Sequence, residues 1–187
     1  MGTRSEIYIR CRIRDNVNAS NAVIELFKHW DGYPEYMVPY LSRFAVWAKR
    51  MVKDQLHWLL YPEDVAALLI AYDFVSFRRF WKKFYGGRYS VKANVKPDIR
   101  PRGFINDYIE YVYVLDVCEN EYDGKNIIIR DGVIWKLKAF EVKSHMGISD
   151  NVRKAIREGT EENNNELELK ETKIIKIKGK QSPILVF

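Results

Sequence analysis

The segment His29-Trp30-Asp31-Gly32-Tyr33-Pro34-Glu35 gathers an imidazole, two carboxylates and a phenol within seven residues. In that spacing His29 can serve as a general base, with Asp31 or Glu35 orienting its ring. The same groups are donors of the kind that bind a divalent metal. An architectural reading accounts for the same letters. Asp-Gly makes a turn, proline opens a helix, Glu35 complements the helix dipole, and Trp30 and Tyr33 fill the corner. His29, Asp31 and Glu35 are therefore the candidate catalytic residues, weighed against a corner built only for the backbone.

A second string, Phe74 to Tyr89, carries a different chemistry. On a helix, Phe74, Phe77, Trp81 and Phe84 share one face, while Arg78, Arg79, Lys82 and Lys83 gather toward another. Arg88 follows the Gly86-Gly87 stop, and Lys92, Lys96, Arg100 and Arg102 extend the basic run. Cations neutralise phosphates and aromatic rings stack on bases, so Arg78, Arg79, Lys82, Lys83 and Arg88 are the candidate nucleic-acid contacts. The alternative is a solvated helix face above an aromatic core stripe. A third grouping, Glu141 with Lys143-Ser144-His145, lacks the context of a serine hydrolase. The chain has no P-loop, no dinucleotide fingerprint and no zinc-protease string. No cofactor and no metal site are assigned.

The elements that must position these residues follow from periodicity. Ser5 to Arg14 alternates Ile7, Ile9, Cys11 and Ile13 with polar partners, which predicts a strand. Asn21 to Trp30 is a second strand, and a turn over Asp15 to Ser20 makes the two a hairpin. Apolar residues at helical spacing from Met37 to Val52 predict a first helix, opened by Pro34 or Pro39. Pro62-Glu63-Asp64 opens a second, which runs to about Tyr85. Strands are expected over Tyr89 to Val95 and Tyr108 to Cys118. Asn126 to Arg130 and Val133 to Val142 read as a hairpin turned at Asp131-Gly132, which completes a three-stranded meander. Ser149 caps a short helix, Asp150 to Glu158, closed by Gly159. Thr160 to Glu166 reads as a polar, mobile loop, and Leu167 to Lys178 and Pro183 to Phe187 as final strands. The expected fold class is α+β: an antiparallel sheet, made of the N-terminal hairpin and a C-terminal meander, with two main helices packed on it. Residues 1–187 form one domain, with 148–187 as a C-terminal appendage.

Two motifs together carry a resemblance. Met1-Gly2-Thr3-Arg4-Ser5 and, one hairpin later, Trp30-Asp31-Gly32-Tyr33-Pro34 resemble an uncharacterised family found in phage, archaeal-virus and prokaryotic genomes. Asp107 to Tyr113 is similar to a later strand of that family. The likeness covers about the first forty residues and carries no activity with it. It implies a viral or mobile-element setting, and it groups Thr3, Arg4, Asp31, Gly32 and Tyr33 into one local motif site. An Arg4–Asp31 pair would lock that corner with a forked hydrogen bond.

Composition bounds the rest. The 187 residues carry 47% hydrophobic residues, enough for a real core, and a net charge of +6 that is compatible with a polyanionic partner. No run approaches the length of a membrane helix, and the N-terminus lacks the apolar stretch of a signal peptide, so a cytoplasmic protein with no membrane partner is expected, in the host cytoplasm if viral. Cys11 and Cys118 lie far apart without a secretion signal and read as buried, inert thiols. Lys/Glu enrichment with Gln only at Gln55 and Gln181 points to a thermophile, although eleven Asn residues point the other way. The leading expectation is a non-enzymatic protein that binds DNA or RNA. The rivals are a hydrolase or nuclease with its site at His29, Asp31 and Glu35, and a protein–protein module, as a homo-oligomer or on a host protein, anchored by Trp58 or Tyr61.

Overall fold

The structure is a computed structural model that describes residues 3–11, 22–84, 98–101, 108–122, 127–129, 131–144 and 147–179, and for 77–84, 121–122 and 127–128 the backbone only. The expected strands at Tyr89 to Val95 and Pro183 to Phe187, and Arg88, lie outside the described residues.

Strands β1 (Ser5–Arg10) and β2 (Val23–Lys28) pair antiparallel as a hairpin, Ser5 opposite Lys28. Helix α1 (Pro34–Val52) and a 3-10 turn (Leu56–Leu60) lead into α2 (Pro62–Phe84). Then come β3 (Ile99–Pro101), β4 (Tyr111–Asp116), β5 (Glu121–Tyr122), β6 (Ile127–Ile128) and β7 (Gly132–Val142). Helix α3 (Asp150–Glu158), a 3-10 turn (Glu161–Asn163) and β8 (Leu167–Lys178) complete the described chain. One sheet runs in the order β3-β2-β1-β4-β7-β8, and β5 pairs with β6 alone.

The fold is mixed α+β, but the sheet is not antiparallel throughout. β1 and β4 run parallel, Ser5 beside Tyr111 and Arg10 beside Asp116. The excursion through α1 and α2 brings the chain back to the end of the sheet where it started, so the returning strand enters in the same direction. Among the described residues, β6 and β7 do not pair across the expected Asp131-Gly132 turn either. β6 pairs with β5, and β7 pairs with β4 and β8.

Period-two alternation gives the sheet two buried faces. Ile7, Ile9, Leu26, Tyr113, Leu115, Trp135 and Leu137 meet α1 and α2 on the front. Tyr8, Phe27, Val112, Val114 and Phe140 meet Val152 and Ile156 of α3 on the back. The capping of α3 is legible in its letters: Ser149 Oγ accepts from the Val152 N–H at 3.2 Å, and Gly159 takes the left-handed φ of 74° that ends the helix.

Two further expectations are overturned. Cys11 and Cys118 are not free thiols but form a disulfide, Cα–Cα 5.0 Å, because the parallel register brings the ends of β1 and β4 together. The string Thr160 to Glu166 is not a loose polar loop. Glu161 is fully buried behind the sheet, where its carboxylate meets Arg10 at 2.7 Å and Lys138 at 2.9 Å. Arg10 in turn bonds Asp116 and the C-terminal carbonyl of α3 at Ile156. Burial lowers the Arg10 pKa, but the Asp116 and Glu161 carboxylates more than reverse that and hold it above its ordinary value.

Candidate nucleic-acid interface

Both sequence motifs and the basic helix converge on one end of the sheet. At the opposite end, Trp135 Nε1 donates to the Leu59 carbonyl at 2.8 Å and Cys118 Sγ lies 3.2 Å from the Leu60 carbonyl, which fixes the start of α2 beside the disulfide. From there α2 crosses the front face antiparallel to α1, with Trp47 against Tyr72 and Tyr40 against Asp73. At Asp73 it reaches the end of β2.

Asp73 is the bracket there. It sits buried in an otherwise apolar helix stretch. Its Oδ1 accepts from Tyr40 Oη at 2.8 Å, and its Oδ2 accepts from the backbone N–H groups of Asp98 and Ile99 at 2.6 and 2.9 Å. The Asp98 carboxylate accepts from Lys28 Nζ at 2.5 Å and from the Trp30 N–H at 3.3 Å. The Lys28 ammonium lies 5.6 and 5.5 Å from the Tyr36 and Tyr40 ring centres, within cation–π range. Burial and the Asp73 carboxylate drive the Tyr40 phenol well above its ordinary pKa, and burial with Asp31 and Asp73 pushes Tyr36 up to about 12. Both phenols therefore stay protonated at physiological pH.

The motif corner closes on backbone. The Gly32 N–H donates to the Thr3 carbonyl at 2.9 Å, and Tyr113 Oη donates to the Gly32 carbonyl at 2.7 Å. The Arg4 carbonyl accepts from Glu110 N–H at 3.1 Å. Asp31 takes the left-handed φ of 52° that aspartate tolerates in a tight turn. Gly32 has no room for a side chain: a Cβ would stand 2.9 Å from the Thr3 carbonyl oxygen and 2.9 Å from Ser5 Oγ. Gly32→Ala is therefore expected to lower stability by about 1–3 kcal/mol, measurable by urea denaturation, because the Thr3 backbone must give way.

Trp30 and Tyr33 do not pack the corner. They are 54% and 38% exposed, with Tyr108, two residues before Glu110, at 40% and Phe74, next to Asp73 in sequence, at 36%. Among the described residues, four of the five exposed aromatic side chains thus lie at this end of the sheet. The fifth, Trp58, is at the far end, where Tyr61 is half-buried.

His29 follows β2 and Glu35 lies in α1, with Asp31 in the turn between them. His29 lies beside Phe27 on the back, ring centres 6.0 Å apart, with Nδ1 buried and unpartnered. Glu35 opens α1 on the front, and its charge is felt by Tyr111 and Tyr113. Among the described residues, no three His, Cys, Asp or Glu side chains come together to hold a metal. Arg78, Arg79, Lys82 and Lys83 lie on the part of α2 described by backbone alone. Arg100, from the basic run that follows, is exposed on edge strand β3 with its guanidinium 5.6 Å from the Phe27 ring centre.

Lys28, Asp73 and Asp98 escaped the sequence reading. The available signals were a lysine at an inward position of a strand and an aspartate interrupting a run of apolar helix residues. No helix among the described residues is long and apolar enough to cross a membrane. No protein-family model, curated protein or solved structure matches this chain.

Proposed function

We propose that this protein binds nucleic acid through the second half of α2, with Arg78, Arg79, Lys82 and Lys83 neutralising phosphates. The observation that supports this is where the cations start. Arg78 lies five residues, about 8 Å of helix, beyond Asp73. Two carboxylates at the root of this segment are already engaged, Asp73 by Tyr40 and two backbone N–H groups, Asp98 by Lys28 and the Trp30 N–H. Internal bonds thus occupy two acids beside the root of the helix, and the reading assigns the positive charge beyond them to an external anion. The exposed aromatics at the same end add stacking surface.

Binding measured by fluorescence anisotropy is expected to weaken steeply as salt rises. Arg78→Ala or Lys82→Ala should each lower affinity and reduce the slope of log K against log salt by about 0.7–0.9. Absence of any affinity for DNA or RNA at low salt refutes the proposal.

A further inference from the structure

We infer that the ligand of this end is a single strand, and that Trp30 and Tyr33 are the rings on which its bases stack. This rests on the nucleic-acid reading above and narrows it to one substrate class.

Backbone bonds fix the segments that carry these two rings. Trp30 is tied by its N–H to Asp98, and Asp98 is tied to Asp73. Tyr33 caps α1, and its carbonyl accepts from the Tyr36 and Met37 N–H groups at 3.1 and 3.0 Å. The turn between them is pinned through Gly32 to Thr3 and Tyr113. The sequence thus spends a left-handed aspartate and a glycine with no space for a Cβ on presenting two large rings to solvent. A turn needed only to start a helix has no use for that. His29 stands edge-on to Trp30, ring centres 4.8 Å apart, and limits its swing on one side, while Tyr36 supports Tyr33 at 6.1 Å.

Rings held this way suit unpaired bases. In a duplex the base faces are covered by their neighbours and only groove edges and phosphates are offered. A single strand offers a π-face at every nucleotide, and stacking on aromatic rings tolerates any sequence. Asp31 and Glu35, both exposed, occupy the same corner. Their charge repels a backbone laid directly over the turn, so the phosphates track along α2 and the bases turn toward the rings.

The test uses the full chain with fluorescein-labelled oligo(dT) and a labelled duplex of the same length, read by anisotropy at low salt. Wild-type protein is expected to favour oligo(dT). Trp30→Ala and Tyr33→Ala should each weaken oligo(dT) binding by about ten-fold, in the range that stacking on one ring supplies. Both should leave duplex binding unchanged, and Trp30→Phe and Tyr33→Phe should retain most of the oligo(dT) affinity. Because both side chains are substantially exposed, the variants are expected to keep the wild-type melting temperature. Equal binding of both probes, or alanine variants that bind oligo(dT) like wild type, overturns the stacking assignment while leaving phosphate binding by α2 in place. No binding of either probe by the wild-type protein overturns both.

Discussion

Replacing Cys11 and Cys118 by serine is expected to lower the melting temperature by about 6–12 °C, and reductant should do the same to the wild-type protein while leaving the variant unaffected. The bond joins residues 107 apart in sequence. In the chain-entropy picture, a loop of that length costs the unfolded chain about 5 kcal/mol of freedom once it is closed, and measured values for native disulfides centre on about 2–4 kcal/mol. The parallel register of β1 and β4 sets the two strand ends side by side in the folded state. Thermal unfolding with and without reductant reads the effect. Equal melting temperatures, or two titratable thiols in the unreduced protein, would remove it. The bond also bears on the candidate interface indirectly, since Cys118 contacts the Leu60 carbonyl at the base of α2.

The second large effect centres on Glu161. Glu161→Ala is expected to cost about 3–5 kcal/mol, because it strips a carboxylate from two buried cations, Arg10 and Lys138. Part of the loss has a pH signature. Burial would raise the Glu161 pKa, but the Arg10 and Lys138 hydrogen bonds outweigh it and hold the group at about 2, against 4.5 when unfolded. A depressed folded pKa means that folding favours the carboxylate form. The contribution is complete above pH 4.5 and is lost as pH falls toward 2, an amount of roughly 3 kcal/mol. Urea denaturation across that window should show wild-type stability falling with acid. Glu161→Gln should start lower and stay flatter. A wild-type curve parallel to that of Glu161→Gln would show that Glu161 does not carry this dependence.

Local chemistry made much of the fold legible. The β1–β2 hairpin, the proline-started α1 and α2, and the Ser149-to-Gly159 boundaries of α3 are written in periodicity and caps, whose range is a turn or two of chain. What could not be read depends on which distant segments meet. Nothing near Ser5 announces that Tyr111 will lie beside it in parallel. Nothing near Cys11 announces Cys118. Glu161 sits in a string of Glu and Asn that has the composition of a solvated loop, and only the arrival of Arg10 and Lys138 from two strands makes its burial tolerable. The candidate interface divides the same way. The corner motif and the cationic helix were each visible, but their placement at one end of the sheet is a consequence of the length and direction of α2. The exposure of Trp30 and Tyr33 ran against the usual expectation that large rings fill corners.

The position of β1 has a consequence for how the chain comes together. β1 precedes the other described strands in the chain, yet it is an interior strand, flanked by β2 on one side and by β4 on the other. Its hairpin can form early, yet the far edge of that hairpin stays open until residue 111 and beyond have left the ribosome. Pairings of such high contact order are slow to find. Through that interval the newborn chain exposes an unsatisfied, largely apolar strand edge, the kind of surface on which nascent proteins aggregate. Refolding from denaturant should therefore lose yield with rising protein concentration well before the finished protein shows any tendency to self-associate.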